Sequence, residues 1–323
     1  MRMKHRQMEY RRCGRSGLRL PAISLGLWHN FGAGDDFGRA RQIVLTAFEN
    51  GITHFDLADN YGPPPGSAEQ TFGRILRDSL GTHRDEILIA TKAGHEMWPG
   101  PYGDWGSRKH LIAACDQSLR RLGVDYADIF YSHRPDPDTP LEETMQALDY
   151  IVRSGRALYV GLSKYPPQTA RQAMQILRDL GTPCVVNQLR YSMLAREPER
   201  ELFPLFGDCG TGVVSFSPLA QGRLSERYLA GIPADSRAAQ GGFLKVSDVE
   251  ASLSKTEALH ELARRRGQSL SQMAIAWQFR PGSPVTSVIV GVSTPQQLLQ
   301  NLGALDKPNF TDEELAEIET ILA

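Results

Sequence analysis

Charge of one sign is in short supply in this chain: 36 basic and 37 acidic side chains leave a formal net charge of -1 over 323 residues. No global field draws such a chain to nucleic acid or to anionic lipid, so a small molecule is the default partner. No apolar run approaches the length of a membrane span. The basic start MRMKHRQMEYRR leads into none either, and it reads as a frayed, solvated terminus of a cytoplasmic protein. Only four cysteines occur, Cys13, Cys115, Cys184 and Cys209, far apart and without CxxC spacing. That argues against a zinc site or a disulfide framework and for buried thiols in a reducing compartment. No HxH pair follows the first strand, and no set of His, Asp and Glu has metal-ligand spacing, which disfavours a metal-dependent barrel hydrolase. The usual dinucleotide-binding turn, GxGxxG, is missing as well.

What is present is a rhythm. With 41% hydrophobic and 23% charged residues the chain is long enough for one large α/β barrel. From Ser24 onward, short apolar runs alternate with amphipathic segments of helical length. The strand expectations are Ser24-Trp28, Thr53-Ala58, Ile87-Ala93, Ala127-His133, Ala157-Ser163, Cys184-Arg190, Gly212-Ser217 and Ser287-Gly291. The 3.6-residue period predicts helices over Ala40-Asn50, Ala68-Ser79, Arg108-Leu122, Glu142-Ser154, Thr169-Leu180 and Glu199-Cys209. Gly51, Gly123, Gly155, Gly181 and Gly210 stand where a left-handed residue ends a helix at least cost. Eight such units predict a closed (β/α)8 TIM barrel, a single domain over residues 1–323. Tyr10-Cys13 and Leu18-Leu20, flanking Gly14-Arg15-Ser16-Gly17, read as an N-terminal β-hairpin that could plug the amino-terminal mouth. After the seventh strand a long loop from Pro218 to Ser254 breaks the rhythm and reads as a lid.

Four ionisable groups fall at strand ends or in the turn just after: Asp56 and Tyr61 in HFDLADNYG, Lys92 in ILIATKAG and His133 in DIFYSH. If those strands are neighbours, the four converge at the carboxyl edge of the sheet, where barrel enzymes place their chemistry. Tyr61 is the natural proton donor to a developing alkoxide. A Lys92 ammonium would stabilise the phenolate and lower the tyrosine pKa, making alcohol oxidation accessible too. Asp56 would keep that lysine charged, and a neutral His133 could hydrogen-bond the substrate carbonyl. Singly, each residue has a plainer reading: a helix cap, a turn side chain, a solvated lysine, a histidine on a backbone carbonyl. Together, each at the correct strand end, they describe carbonyl reduction. Trp28, Trp98, Tyr102 and Trp105 could wall a compact substrate pocket, although Trp98 and Trp105 read equally as packing a long loop on the barrel. Arg134 and Arg108 are cations placed by sequence to meet a substrate phosphate.

GITHFDLADNYGPPPGSAE, TKAG, DIFYSHRPD, YVGLSKY, VVNQLRYS, FSPLAQGRL and VIVGVSTPQQLLQN resemble the successive signatures of the aldo-keto reductases, from about Tyr10 to the carboxyl end. LPAISLGLWHNFG, NYGPPPGSAE and MWPGPYGDWGSRK resemble the branch of bacterial L-glyceraldehyde 3-phosphate reductases, close to the potassium-channel β-subunits. The resemblance implies NADPH bound in extended form across the carboxyl face, and hydride transfer to a small-molecule aldehyde or ketone. It implies a catalytic tetrad of Asp56, Tyr61, Lys92 and His133, with Tyr61 as the acid and Trp28, Tyr61, Trp98 and His133 around the substrate. Ser163 and Gln188 match positions that hold the nicotinamide carboxamide, and Phe216 matches the aromatic on which the nicotinamide stacks; Trp28, Asp56 and Gly291 also fall beside the cofactor. Ser217, Pro218, Leu219, Gln221 and Gly222 match the pyrophosphate loop, Arg227 and Arg237 match basic lid residues, and Ser293, Gln297 and Asn301 match the adenosine end with its 2'-phosphate. There Thr294-Pro295 would open the final helix, whose free amides suit a phosphate.

Two departures stand out. Lys164 follows Ser163 where many relatives carry Asn, and Gln297 and Asn301 are neutral where many carry a cation, which leaves NADH as a second option. His133 stands where channel β-subunits generally carry Asn, which favours a working reductase over a non-catalytic nicotinamide-binding regulatory subunit. A third reading is a family member acting mainly as an alcohol or sugar dehydrogenase. The branch suggests methylglyoxal or L-glyceraldehyde 3-phosphate as substrates, and a homo-oligomer, a tetramer among the options.

Overall fold

The computed structural model describes residues 8–323, so most of the basic terminus lies outside the described residues. Its strands are β1 (Tyr10–Arg12), β2 (Arg19–Pro21), β3 (Ile23–Gly26), β4 (His54–Asp56), β5 (Leu88–Ala93), β6 (Ala127–Ser132), β7 (Ala157–Ser163), β8 (Cys184–Arg190), β9 (Gly212–Phe216) and β10 (Val285–Val290). β3 to β10 close into a parallel barrel in the order β10-β3-β4-β5-β6-β7-β8-β9. β6 (ADIFYS) and β10 (VTSVIV) are buried at every position. A parallel strand between a filled barrel interior and a ring of helices has no solvent face, hence no polar alternation.

The boundaries of β7 and β8 coincide with the sequence expectation, while β3 and β4 are shorter than expected. Beyond Gly26 and Asp56 the chain leaves the ladder one bond at a time, with Leu27 N donating to Asp56 O at 2.9 Å and Leu57 N to Ala90 O at 2.8 Å. The helix Arg108–Leu122 begins where the Ser107 side chain accepts from His110 N and ends at left-handed Gly123, φ 68°. The segment expected as one helix over Ala68-Ser79 is an α-helix over Ser67–Ile75 that widens into a π-helical turn at Leu76–Leu80.

The antiparallel hairpin β1–β2 closes the amino-terminal end of the barrel. Cys13, Leu18 and Leu20 form one buried cluster with the inward residues Ala90, Ile129, Tyr131, Val186, Val214 and Ile289. Arg15 N donates to Gly210 O at 2.8 Å and the Cys13 thiol to Val185 O at 3.4 Å. Gly14, at φ 56°, permits this approach: a Cβ there would lie 2.1 Å from Gly210 O.

After β9 the long loop is shorter than expected. A long helix begins at Val246, eight residues before Ser254, and runs to Arg265. Before it, short helical turns at Ala220–Gly222, Glu226–Tyr228 and Arg237–Gln240 fold the insertion onto a small apolar cluster of Tyr228, Ala238, Leu244 and Val249. Such a cluster makes the insertion a packed unit instead of a floppy linker. Among the described residues no helix is long and apolar enough to cross a membrane.

Candidate functional site

Strand register brings the polar groups together. Asp56 ends β4 and pairs with Ala90 of β5; Lys92 lies opposite Tyr131 of β6; His133 follows the end of β6; Ser163 ends β7 opposite Gln188 of β8. All sit at the carboxyl edge of the barrel. Lys92 is fully buried, and its Nζ bonds Asp56 Oδ2 at 2.8 Å and Leu57 O at 2.6 Å. The second Asp56 oxygen accepts from Gln188 Nε2 at 2.7 Å. The pair is thus held from two sides, as a buried ion pair requires. Lys92 Nζ lies 5.0 Å from the Tyr61 ring centre, and the Tyr61 and His133 rings meet edge to face at 5.9 Å.

Burial lowers the Lys92 ammonium below its ordinary pKa, with Asp56 opposing the shift. Burial, Lys92 and Lys164 push the His133 imidazolium well below its usual range, so the ring is neutral. Its buried Nδ1 has no partner among the described residues. The expectation that Lys92 lowers the Tyr61 pKa is reversed in the balance. Burial, followed by the carboxylates Asp56 and Asp59, raises it well above 10.0. The phenol is therefore held protonated, which suits donation more than proton removal from an alcohol.

The residues around this centre fit a nicotinamide cofactor on their own geometry. The Ser163 hydroxyl is fully buried with no partner, and so is the buried Asn301 amide nitrogen. Ser217, Ala220, Gln221 and Gly222 all take positive φ. Interspersed with right-handed residues, such a run turns amides into a concavity suited to an anion. Phe216 ends β9, half-buried at the same edge. Gln188 departs from its expected role in part, since its amide nitrogen is engaged by Asp56.

At the adenosine end, Thr294 caps the helix Pro295–Leu302 by accepting from Gln297 N. This is not the final helix, as the sequence suggested; Asp312–Leu322 follows it. The Gln297 side chain accepts from Ser293 N at 2.8 Å and Oγ at 3.1 Å, while Gly291 is exposed just past β10. The helix start borders a cleft of about 380 Å³ that Arg39 also lines. Arg39 escaped sequence reasoning because it belongs to the first helix of the barrel, far from Thr294 in the chain. A larger cleft, about 490 Å³, lies at the hairpin end among Arg11, Arg12 and Arg19, away from the carboxyl edge.

The insertion reaches the site: Phe243, 81% exposed, packs its ring 5.8 Å from that of Trp28, which lies 6.2 Å from Tyr61. Arg227 is tied to Asp235 at 3.0 Å, whereas exposed Arg237 makes no ion pair among the described residues. Trp98 stacks at 5.1 Å on His110, which favours its reading as a loop anchor. Trp105 lies under the Arg134 guanidinium at 3.5 Å. Of the two arginines placed to meet a phosphate, Arg134 is engaged by Asp104 at 2.7 Å and by Gly94 O, and Arg108 bonds Gln146 at 2.6 Å. Sequence reasoning also missed His95, edge-on to His133 at 4.5 Å, and Asp59, a fully buried carboxyl without a side-chain partner. Their signal was proximity to the motifs, in TKAGH and DLADNY.

Fold and site together describe a barrel oxidoreductase in which the Tyr61 ring lies against a buried lysine. The aldo/keto reductase family model matches residues 22–323, and the chain belongs to that family, whose reactions draw on a nicotinamide cofactor and a small-molecule substrate. It is 50% identical to the L-glyceraldehyde 3-phosphate reductase of Escherichia coli (strain K12) over 327 residues, covering 99% of this chain and 94% of that protein. It is 37% identical to a probable voltage-gated potassium channel subunit beta of Oryza sativa subsp. japonica over 325 residues, covering 98% and 97%. A subunit so described in Arabidopsis thaliana is likewise 37% identical.

Proposed function

We propose that this protein reduces small or phosphorylated aldehydes to alcohols with NADPH, Tyr61 acting as the general acid. The observation that carries the reading is the buried Lys92–Asp56 pair, 2.8 Å apart, beside a phenol that its surroundings keep protonated. When bound, the reduced nicotinamide supplies the hydride. Tyr61 gives its proton to the carbonyl oxygen as charge grows there, and Lys92 stabilises the phenolate left behind. Asp56, fixed by Gln188, keeps the ammonium in place. Neutral His133 donates one hydrogen bond to the carbonyl and orients it.

The Ser163 hydroxyl is suited to the carboxamide, Phe216 to the nicotinamide face, and the 217–222 turn, with Pro218 and Leu219, to the pyrophosphate. Arg237 and Arg39, which make no ion pair among the described residues, are suited to a 2'-phosphate near Ser293, Gln297 and Asn301. The reductase relative supports a phosphorylated aldehyde as substrate, and methylglyoxal is a second small carbonyl to test. A phenol held protonated favours reduction over the alcohol dehydrogenase reading. The channel-subunit relatives keep a nicotinamide-binding regulatory role as the competing class.

The test is NADPH consumption with DL-glyceraldehyde 3-phosphate, methylglyoxal and 4-nitrobenzaldehyde, in wild type and Tyr61→Phe. General acid catalysis contributes roughly 100- to 10,000-fold, so the variant should lose about that much turnover while binding NADPH nearly as before. A Tyr61→Phe protein that keeps most of its activity would sink the acid assignment. NADPH fluorescence showing binding, with none of the aldehydes reduced, would favour the regulatory class.

A further inference from the structure

One ammonium at the carboxyl edge has no counter-charge. Lys164 follows Ser163 at the end of β7, its N–H donating to Gln188 O at 3.3 Å, and its side chain makes no hydrogen bond or ion pair among the described residues. Its backbone is left-handed, φ 60°, at a non-glycine residue. Such conformations persist only where the surroundings impose them, and they gather at ligand sites. Ser132 is in register with Leu162, so His133 neighbours Ser163 and the lysine comes next along the rim.

Around it the other positive groups are engaged. Arg134 is held by Asp104 and Gly94 O and lies on Trp105. Lys92 is bound to Asp56, and His95 and His133 meet edge to face as neutral rings. Lys164 is exposed at the rim, yet desolvation, then Lys92 and Arg134, holds its ammonium below its ordinary pKa, and it in turn disfavours charge on His133 and His95. A cation among cations, on the rim beside the carbonyl-orienting histidine, is a charge arrangement that an anion would relieve.

We infer that Lys164 anchors the anionic group of the substrate, a phosphate or carboxylate on a short carbon chain whose carbonyl faces Tyr61 and His133. The inference rests on the reductase reading of the same site and names its substrate class.

Steady-state kcat/KM with NADPH is to be measured for glyceraldehyde 3-phosphate, succinic semialdehyde, and the uncharged glyceraldehyde and butanal, in wild type, Lys164→Met and Lys164→Arg. A charge-assisted hydrogen bond corresponds to about tenfold to a hundredfold, and Lys164→Met should lower the charged-to-neutral ratio by that factor, mainly through KM. Lys164→Arg should restore most of it, and added salt should lower the ratio more in wild type than in Lys164→Met. A loss confined to the phosphate or to the carboxylate substrate identifies the anion. Equal losses on charged and neutral aldehydes, or NADPH affinity weakened by the same factor, overturn the inference. If wild type reduces none of these aldehydes, the reductase reading fails, and calorimetric binding of glycerol 3-phosphate decides this one. Binding that Lys164→Met abolishes upholds the anchor, and binding unchanged in the variant removes it.

Discussion

The two ends of this barrel are built from the same eight strands and filled on opposite principles. At the amino-terminal end the hairpin seals the interior with Cys13, Leu18 and Leu20, packed on aliphatic residues and the Tyr131 ring. Burial first, then the proximity of Cys184, pushes the Cys13 thiol up to about 12, and burial chiefly pushes Cys184 up to about 12 as well, so both sulfurs are inert packing groups. At the carboxyl end a lysine, two aspartates and a histidine are buried among polar atoms that lack partners, Ser163 Oγ and His133 Nδ1 among them. Buried polar atoms are almost always satisfied in a folded protein; others such as Tyr131 Oη and Trp277 Nε1 also lack partners among the described residues, but those at this mouth lie around the proposed cofactor site, where a ligand would complete the bonding. The floor is finished by the chain itself, and the mouth is left for something else to finish.

The sharpest way to break that contrast is to unpair the mouth. Lys92→Met leaves Asp56 as a buried carboxylate with only Gln188 on it, and removing one partner of such a pair costs about 3–5 kcal/mol. Denaturant unfolding should show that loss, and Lys92→Met with Asp56→Asn should regain part of it. A single variant as stable as wild type would mean the pair is not electrostatically closed.

Acid should act on the barrel interior through its histidines. His54, fully buried and bonded to Ser24 Oγ at 2.8 Å, has its pKa lowered to about 4 from 6.5, chiefly by burial. Between these values the unfolded chain binds the proton and the folded one does not. Stability is therefore full above 6.5 and falls as pH drops towards about 4, by on the order of 3 kcal/mol for a shift of this size. Unfolding free energies measured across that window should show the slope, and His54→Gln should flatten it; a slope unchanged in the variant would move the effect to His133 or His95.

The floor should answer differently. Gly14→Ala forces a Cβ against Gly210 O in a left-handed backbone, and overpacking of this kind costs about 1–3 kcal/mol. The melting temperature should fall while kcat per folded molecule holds; a matching fall in kcat would show that the two ends are coupled. The smallest effect belongs to the lid. Arg237→Ala should weaken NADPH by about twofold to fivefold and NADH less, as for one exposed charge. Equal weakening of both would take Arg237 off the 2'-phosphate.

Much of this was legible in the chain. β7 and β8 could be read end to end because apolar runs bounded by turn residues have one plausible extent, and Gly123 and Gly210 stopped their helices where φ had to turn positive. The strand-end positions of Asp56, Lys92 and His133 followed from that rhythm. The π-helical turn at Leu76–Leu80 left no mark in the spacing, because its buried leucines are the ones an α-helix would also bury. The start of the long helix at Val246 was hidden because its first turn offers only Val246 and Val249 as apolar residues, too few to show the helical period, and the packing of Val249 with Tyr228 and Leu244 appears only in space.

By itself, then, the sequence determined the number of units, the order of strands and which residue types stand at each strand's end, since these depend on local period and on turn chemistry. Tertiary structure alone decided who meets whom. Gln188 reaches Asp56 across 132 residues, Phe243 reaches Trp28, and Lys164 is left without a carboxylate partner among the described residues. It also reversed the sign of the Tyr61 shift, because the pKa of a buried phenol depends on desolvation and on every charge around it in space, and neither is written along the chain.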